Sequence, residues 1–110
     1  MNDPVKIDHC ARVLHALAAP ERLRIVQFLR DGARNVTQIA EMLQTQAVNV
    51  SHHMSVLRQA ELVRSQKKGR FVLYSLEPGV LDSISGTEGI NLNLGCCRLD
   101  LPSDELPDAN

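Results

Sequence analysis

A mainly α fold carrying one β-hairpin wing is predicted by three features of this 110-residue chain. Residues 49–63 read as a helix running into a hairpin: Val50, Met54 and Leu57 fall at i, i+4 and i+7 on one inward face, while Val48, Ser51, His52 and Ser55 project from the other. Residues 62–67 and 70–76 are rich in Val, Leu, Phe and Tyr, and Lys68-Gly69 between them supplies the glycine of a tight turn. Upstream, a short helical segment beginning near Thr37 and anchored by Ile39, Met42 and Leu43 stands where the first helix of a helix-turn-helix would cross the DNA backbone. Helix, turn, helix and hairpin in that order make a winged helix-turn-helix.

The other elements follow along the chain. Residues 4–18 are expected to form a first helix, with Pro4 in its opening turn and Ile7, Cys10, Ala11, Leu14 and Leu17 on one apolar stripe that needs a partner. Pro20 opens a second helix whose Leu23, Val26, Phe28 and Leu29 point inward, and Gly32 ends it where φ > 0 is common. Beyond Pro78 a short helical candidate covers residues 80–85, interrupted by Gly86, Gly89 and Gly95. The alternation Ile90-Asn91-Leu92-Asn93-Leu94 reads as an extended strand with one buried face. Residues 102–110 are polar and acidic with two prolines and are expected to be disordered. The expected organisation is a single DNA-binding and dimerisation domain over residues 1–100 and an acidic tail over 101–110.

Composition agrees. With 44% hydrophobic and 3% aromatic residues, the chain suits one modest core and is too short for two domains. No apolar run approaches the ~18 to 20 residues of a transmembrane helix, and Met1-Asn2-Asp3-Pro4 is no signal peptide. A cytoplasmic protein with no membrane partner is expected.

The outer face of the helix around residue 52 is short and polar, which lets a backbone approach base edges in the major groove. Net charge is −1 overall, yet segregated. From Thr45 to Leu76 five basic residues stand against Glu61 alone, a surplus of +4; from Glu77 onward seven acids stand against Arg98, a deficit of −6. The segment that would face nucleic acid is therefore basic. Asn49, Ser51, His52 and Ser55 are candidates for base or groove contact, and Arg58, Lys67, Lys68 and Arg70 for phosphate. His53, at the edge of the inward face, is expected to pack and cap; His9 and His15 are expected to be exposed or dimer-facing.

Val50-Ser51-His52-His53-Met54, Leu57-Arg58-Gln59-Ala60-Glu61-Leu62-Val63 and Gly69-Arg70-Phe71-Val72-Leu73-Tyr74-Ser75-Leu76 resemble the ArsR/SmtB-type bacterial repressors. Leu17-Ala18-Ala19-Pro20-Glu21-Arg22-Leu23-Arg24-Ile25 resembles that family's second-helix opening, and the likeness runs over residues 7–80. The resemblance implies a homodimer that binds an imperfectly palindromic double-stranded operator and leaves it when an effector binds. It also implies a first helix that packs across the dimer axis. Two departures stand out: Glu61 occupies a position where many members have glycine, a turn expected to be slightly strained, and the C-terminus lacks a long dimerising helix.

The family's zinc sites on the last helix need histidine, and none follows His53; its third-helix arsenic or cadmium site needs cysteines where Asn35 and Thr37 stand. What remains is Cys10, Cys96 and Cys97. Three cysteines in a reducing compartment argue for free or ligating thiols and against a structural disulfide. If the C-terminal segment folds over the first helix, the three converge, and such a trio suits a thiophilic metalloid or metal ion, or thiol oxidation. An adjacent pair with a third cysteine resembles the arrangement by which some members bind trivalent arsenic. No obligatory cofactor is expected. The alternatives are a winged-helix repressor whose cysteines sense nothing, with Cys10 a core residue, and a winged-helix protein-interaction module. A thiol enzyme is disfavoured: Cys96-Cys97 lacks the two-residue spacing of a redox motif and no base stands near it in sequence.

Overall fold

Each of the four expected helices is present in the computed structural model, which describes the backbone of residues 4–84 and 89–102. They are α1 (Pro4–Leu17), α2 (Pro20–Phe28), α3 (Val36–Leu43) and α4 (Ala47–Gln59). Pro20 begins α2 after an extended Ala19, where a missing N–H costs nothing. The helix tightens into a 3₁₀ turn over Leu29–Asp31 and is closed by Gly32 at φ 139°. Asn35 and Gln38 form a capping box at the start of α3: Asn35 Oδ1 accepts from the Gln38 N–H at 2.8 Å, and Gln38 Oε1 accepts from the Asn35 N–H at 2.9 Å.

Both helices of the helix-turn-helix end in the same way, on a non-glycine residue in the left-handed region. Gln44 (φ 56°) follows α3 and Glu61 (φ 62°) follows α4. Past α4, the Leu62 N–H reaches the Leu57 carbonyl at 3.0 Å and the Glu61 N–H reaches the Arg58 carbonyl at 2.9 Å. Past α3, the Thr45 N–H bonds the Ala40 carbonyl and the Gln44 N–H the Glu41 carbonyl. These are the paired bonds of a Schellman motif, which satisfy helix-end carbonyls. Leu57 and Leu62, both buried, supply its hydrophobic contact.

The strands form two antiparallel sheets. In the first, ordered β1-β3-β2, β2 (Val63–Lys68) and β3 (Phe71–Leu76) make the wing, and β1 (Arg34–Asn35) pairs with Tyr74 and Leu73. Lys68 pairs with Phe71, so the turn consists of Gly69 and Arg70, one residue later than the expected Lys68-Gly69. Gly69, at φ 62°, takes the first central position that a two-residue hairpin turn reserves for glycine.

The second sheet corrects the reading of the C-terminus. The described part of the expected helix, residues 80–84, is not helical: Val80 closes a turn by bonding the Glu77 carbonyl, and β4 (Leu81–Ile84) is a strand. It pairs with β5 (Ile90–Asn93), which pairs with β6 (Arg98–Leu101), an unanticipated strand. A six-residue helix would leave most of its backbone groups unpaired, whereas the meander pairs them. The expected strand is β5, with Ile90 and Leu92 buried. At Gly89 (φ 115°) an added Cβ would fall on the Leu101 carbonyl, so only glycine fits beside β6. Ser85 and Gly86 lie outside the described residues, as does the part of the acidic segment, 103–110, expected to be disordered.

One core joins both sheets and all four helices. Ile25, Ile39, Val50, Met54, Leu57 and Leu92 are fully buried in it. The expected stripe on α1 divides: Leu17 is buried in this core with Val13 and Ala16, while Ile7 and Leu14 stay 55% and 44% exposed. Five residues spread over about 120° of helix are too wide for one partner. Leu17 takes the core side, Ile7, Ala11 and Leu14 the outer side, and Cys10 the boundary.

Candidate nucleic-acid interface and cysteine cluster

On α4 the burial of Val50, Met54 and Leu57 turns positions 48, 51, 52 and 55 outward. Val48 is 68% exposed, and Asn49, Ser51, His52, Ser55 and Arg58 are exposed with it. Asn49 is tied back: its Nδ2 donates to Thr45 Oγ1 at 2.7 Å, which leaves Oδ1 and the second amide hydrogen for a ligand. Lys67, Lys68 and Arg70 are exposed at the wing tip, where Phe71 is also 54% exposed.

Arg22, not singled out in the sequence, anchors this helix. Its Nε donates to the Ala16 carbonyl at the end of α1, and its Nη1 lies 3.2 Å from His53 Nδ1 on α4. Burial, reinforced by the Arg22 guanidinium, holds the His53 pKa below 6.5, with Glu21 pulling weakly the other way. His53 therefore packs, as expected, and accepts a hydrogen bond, but it lies in the middle of α4 and caps neither end, which fall at Gln46 and Ala60. His9 is half-buried and His15 exposed.

The C-terminal sheet does fold over α1 and brings the three cysteines together. Cys10, half-buried, and Cys96, exposed in the β5–β6 turn, form a disulfide with Cα atoms 5.7 Å apart. This corrects the expectation of three free thiols. The Cys97 thiol remains free, with its sulfur 3.8 Å from each of the other two. As the one S–H of the trio it is the donor in both contacts. All three sulfurs lie within 4.8 Å of one another. The turn is shaped by Gly95 at φ 86°, whose N–H donates to Asn93 Oδ1, and by the bond from the Leu94 N–H to the Cys97 carbonyl. Spacing alone could not reveal this pairing, because Cys10 and Cys96 are 86 residues apart. Sequence reasoning also missed that Lys6, His9 and Arg12, spaced at i, i+3 and i+6 on α1, share a hollow with Cys96; the three-residue spacing of basic residues was the available signal.

The profile of the arsR family of bacterial regulatory proteins matches residues 19–65, from the start of α2 through α4 into the wing. SdpR, a transcriptional repressor of Bacillus subtilis, is 38% identical over 74 residues, which cover 66% of this chain and 82% of SdpR. The chain belongs to the arsR family. This arsR-family chain is a transcriptional regulator and not an enzyme. The regulator NmtR of Mycobacterium tuberculosis is 44% identical to it over 66 residues, 60% of this chain but only 55% of NmtR, so the chain spans about half of that longer relative. A homodimeric winged helix-turn-helix DNA-binding domain from Mycobacterium bovis superposes with a TM-score of 0.62 at 31% identity, covering 64% of this chain and 65% of that one. The family profile ends before β3, and the cysteine-bearing sheet lies beyond it.

Proposed function

We propose that this arsR-family protein is a homodimeric, operator-binding repressor of the cytoplasm, released from DNA when a thiol-directed effector acts on Cys10, Cys96 and Cys97. The exposed short side chains of α4 suit the major groove, with Ser51, His52 and Asn49 toward base edges, and Arg58, Lys67, Lys68 and Arg70 suit phosphates on either side. Ile7, Ala11 and Leu14 at i, i+4 and i+7 on α1, with Ala18 just past its end, form an exposed apolar seam, and a second copy of the chain is its partner. A two-fold dimer sets its recognition helices about one DNA turn, roughly 34–36 Å, apart on an imperfect palindrome.

The observation that carries the sensing role is the Cys10–Cys96 disulfide with Cys97 beside it. It ties the helix that bears the dimer seam to the C-terminal sheet. In a reducing compartment such a bond is a switch, not a staple. Oxidation closes it; reduction frees two thiols, which with Cys97 make three close enough to hold one soft metalloid such as trivalent arsenic. The two inputs compete for the same sulfurs, because a disulfide sulfur is no longer a thiolate ligand.

Operator affinity measured by fluorescence anisotropy on reduced, diamide-oxidised and arsenite-treated protein tests this. At least one treatment is expected to weaken binding about 5- to 150-fold, the range of a coupling of about 1 to 3 kcal/mol. Cys96→Ser with Cys97→Ser should bind like the reduced wild type and ignore both treatments. A double variant that responds as fully as the wild type would overturn the sensing role and leave the DNA-binding half standing.

A further inference from the structure

Lys6, His9 and Arg12 line one side of a hollow of about 380 Å³, and Gly95 and Cys96 line the other. The three basic residues sit at i, i+3 and i+6, on the N-terminal extension of the core-facing side of α1. Among the described residues, none of the three makes an ion pair or hydrogen bond; Asp8, four residues before Arg12 on the same helix, does not pair with it. Gly95 leaves the floor open, with no atom within 4 Å of where a Cβ would stand. At 100° per residue the hollow lies roughly opposite the Ile7, Ala11, Leu14 and Ala18 seam, so a partner seated on that seam leaves it open.

Unpaired cations around the exposed sulfur of a disulfide select the reagent that reaches it. We infer that this hollow binds a carboxylate-bearing, low-molecular-weight thiol of about tripeptide size and directs it onto Cys96. The inference deepens the thiol-switch reading and rests on it only for the consequence at DNA, since the reaction is read on free protein. Lys6 and Arg12 hold the carboxylates, and the volume falls within the range of small-ligand sites. The thiolate sulfur bonds to Cys96 Sγ while the Cys10–Cys96 bond breaks, its electron pair leaving on Cys10 Sγ. The Cys97 thiol, 3.8 Å away, donates to that new thiolate. A second thiolate attacks the mixed disulfide, forms the small-molecule disulfide and releases Cys96 as thiolate. Each of the two small thiols loses one electron, and the protein disulfide takes up both; the protons shed by the two thiols end on Cys10 and Cys96.

The test compares rates of disulfide reduction in oxidised full-length protein by glutathione, 2-mercaptoethanol and cysteamine: an anionic, a neutral and a cationic thiol. Each rate is divided by that thiol's rate on a small neutral disulfide, which removes differences in intrinsic nucleophilicity. Glutathione is expected to be favoured about tenfold over the neutral thiol and more over the cationic one, and raising salt should erase the preference. K6Q/R12Q, at two exposed positions, should lose it. Acid-quenched peptide mapping should place the first mixed disulfide on Cys96. Equal normalised rates, a preference indifferent to salt, or a mixed disulfide on Cys10 would overturn the inference, as would failure of diamide to form the Cys10–Cys96 bond. None of these readouts depends on whether oxidation changes operator affinity, so failure here is separable from failure of the sensing reading.

Discussion

A guanidinium has no lone pair to offer, so the 3.2 Å contact between Arg22 and His53 Nδ1 requires the ring nitrogen to accept, which places the proton of the neutral imidazole on Nε2. Protonating His53 would turn this acceptor into a donor facing a cation. Its pKa is accordingly held below 6.5, first by burial and then by Arg22. The unfolded chain then binds the proton more readily than the folded one, so the stability contributed by neutral His53 is complete above pH ~6.5 and is lost as pH falls through that value toward the folded pKa. Melting temperatures between pH 7.5 and 5.5 should drop more steeply for the wild type than for His53→Gln. Parallel slopes would show that His53 does not titrate against folding. Of this network the sequence made His53 legible as a packing residue at the edge of the inward face. Arg22 was hidden because its partners lie on other helices, one of them 31 residues away.

At the scale of elements, the helices and the wing were legible because their signals are local: a 3.6-residue period, a proline at a helix start, a glycine at a hairpin tip. Glu61 at φ 62° was also legible as a turn without glycine; Gln44, its counterpart after α3, carried no warning residue. The strand β4 was misread because its partner, β5, is the only thing that distinguishes it from a helical turn, and pairing is not a local property. The α1 stripe was misjudged for a related reason, since periodicity reports that a side is apolar and not how many partners share it. That division gives a paired prediction. Leu14→Glu, at the exposed seam, should leave the protomer folded and shift sedimentation from dimer to monomer at micromolar concentration. Leu17→Ala, in the core, should instead cost about 2 to 5 kcal/mol of stability. A dimeric Leu14→Glu protein would move the interface elsewhere.

Over the whole molecule, segregated charge was visible in the sequence, and the fold carries it to the wing: Lys67, Lys68 and Arg70 are all exposed around one two-residue turn. If all three meet phosphate, replacing them with alanine should flatten the dependence of log affinity on log salt by about 0.9 for each phosphate no longer neutralised, in every operator half-site, with little change in which sequence is preferred. An unchanged slope would take the wing off the DNA. The cysteine site was only half legible. That the three residues could meet depended on the C-terminal segment folding back, but which two would bond depended on a turn set by Gly95 and Asn93.

The same bond has a meaning for the chain as a polymer. Joining residues 10 and 96 converts nearly the entire winged domain, from the middle of α1 to the β5–β6 turn, into a closed ring, and a ring has far fewer unfolded shapes to explore than an open string. For a loop of 86 residues the chain-entropy description assigns about 4 to 5 kcal/mol to that loss, a large part of the stability of a domain this small. Oxidised protein should melt well above reduced protein and resist thermolysin for longer, because cleavage follows the population of opened chains. Identical melting temperatures would show that the unfolded reduced chain is already as confined as the ring. If oxidation is the treatment that weakens operator binding, the bond that releases this regulator also lengthens its survival, and the stored protein needs only electrons, not new synthesis, to return to DNA.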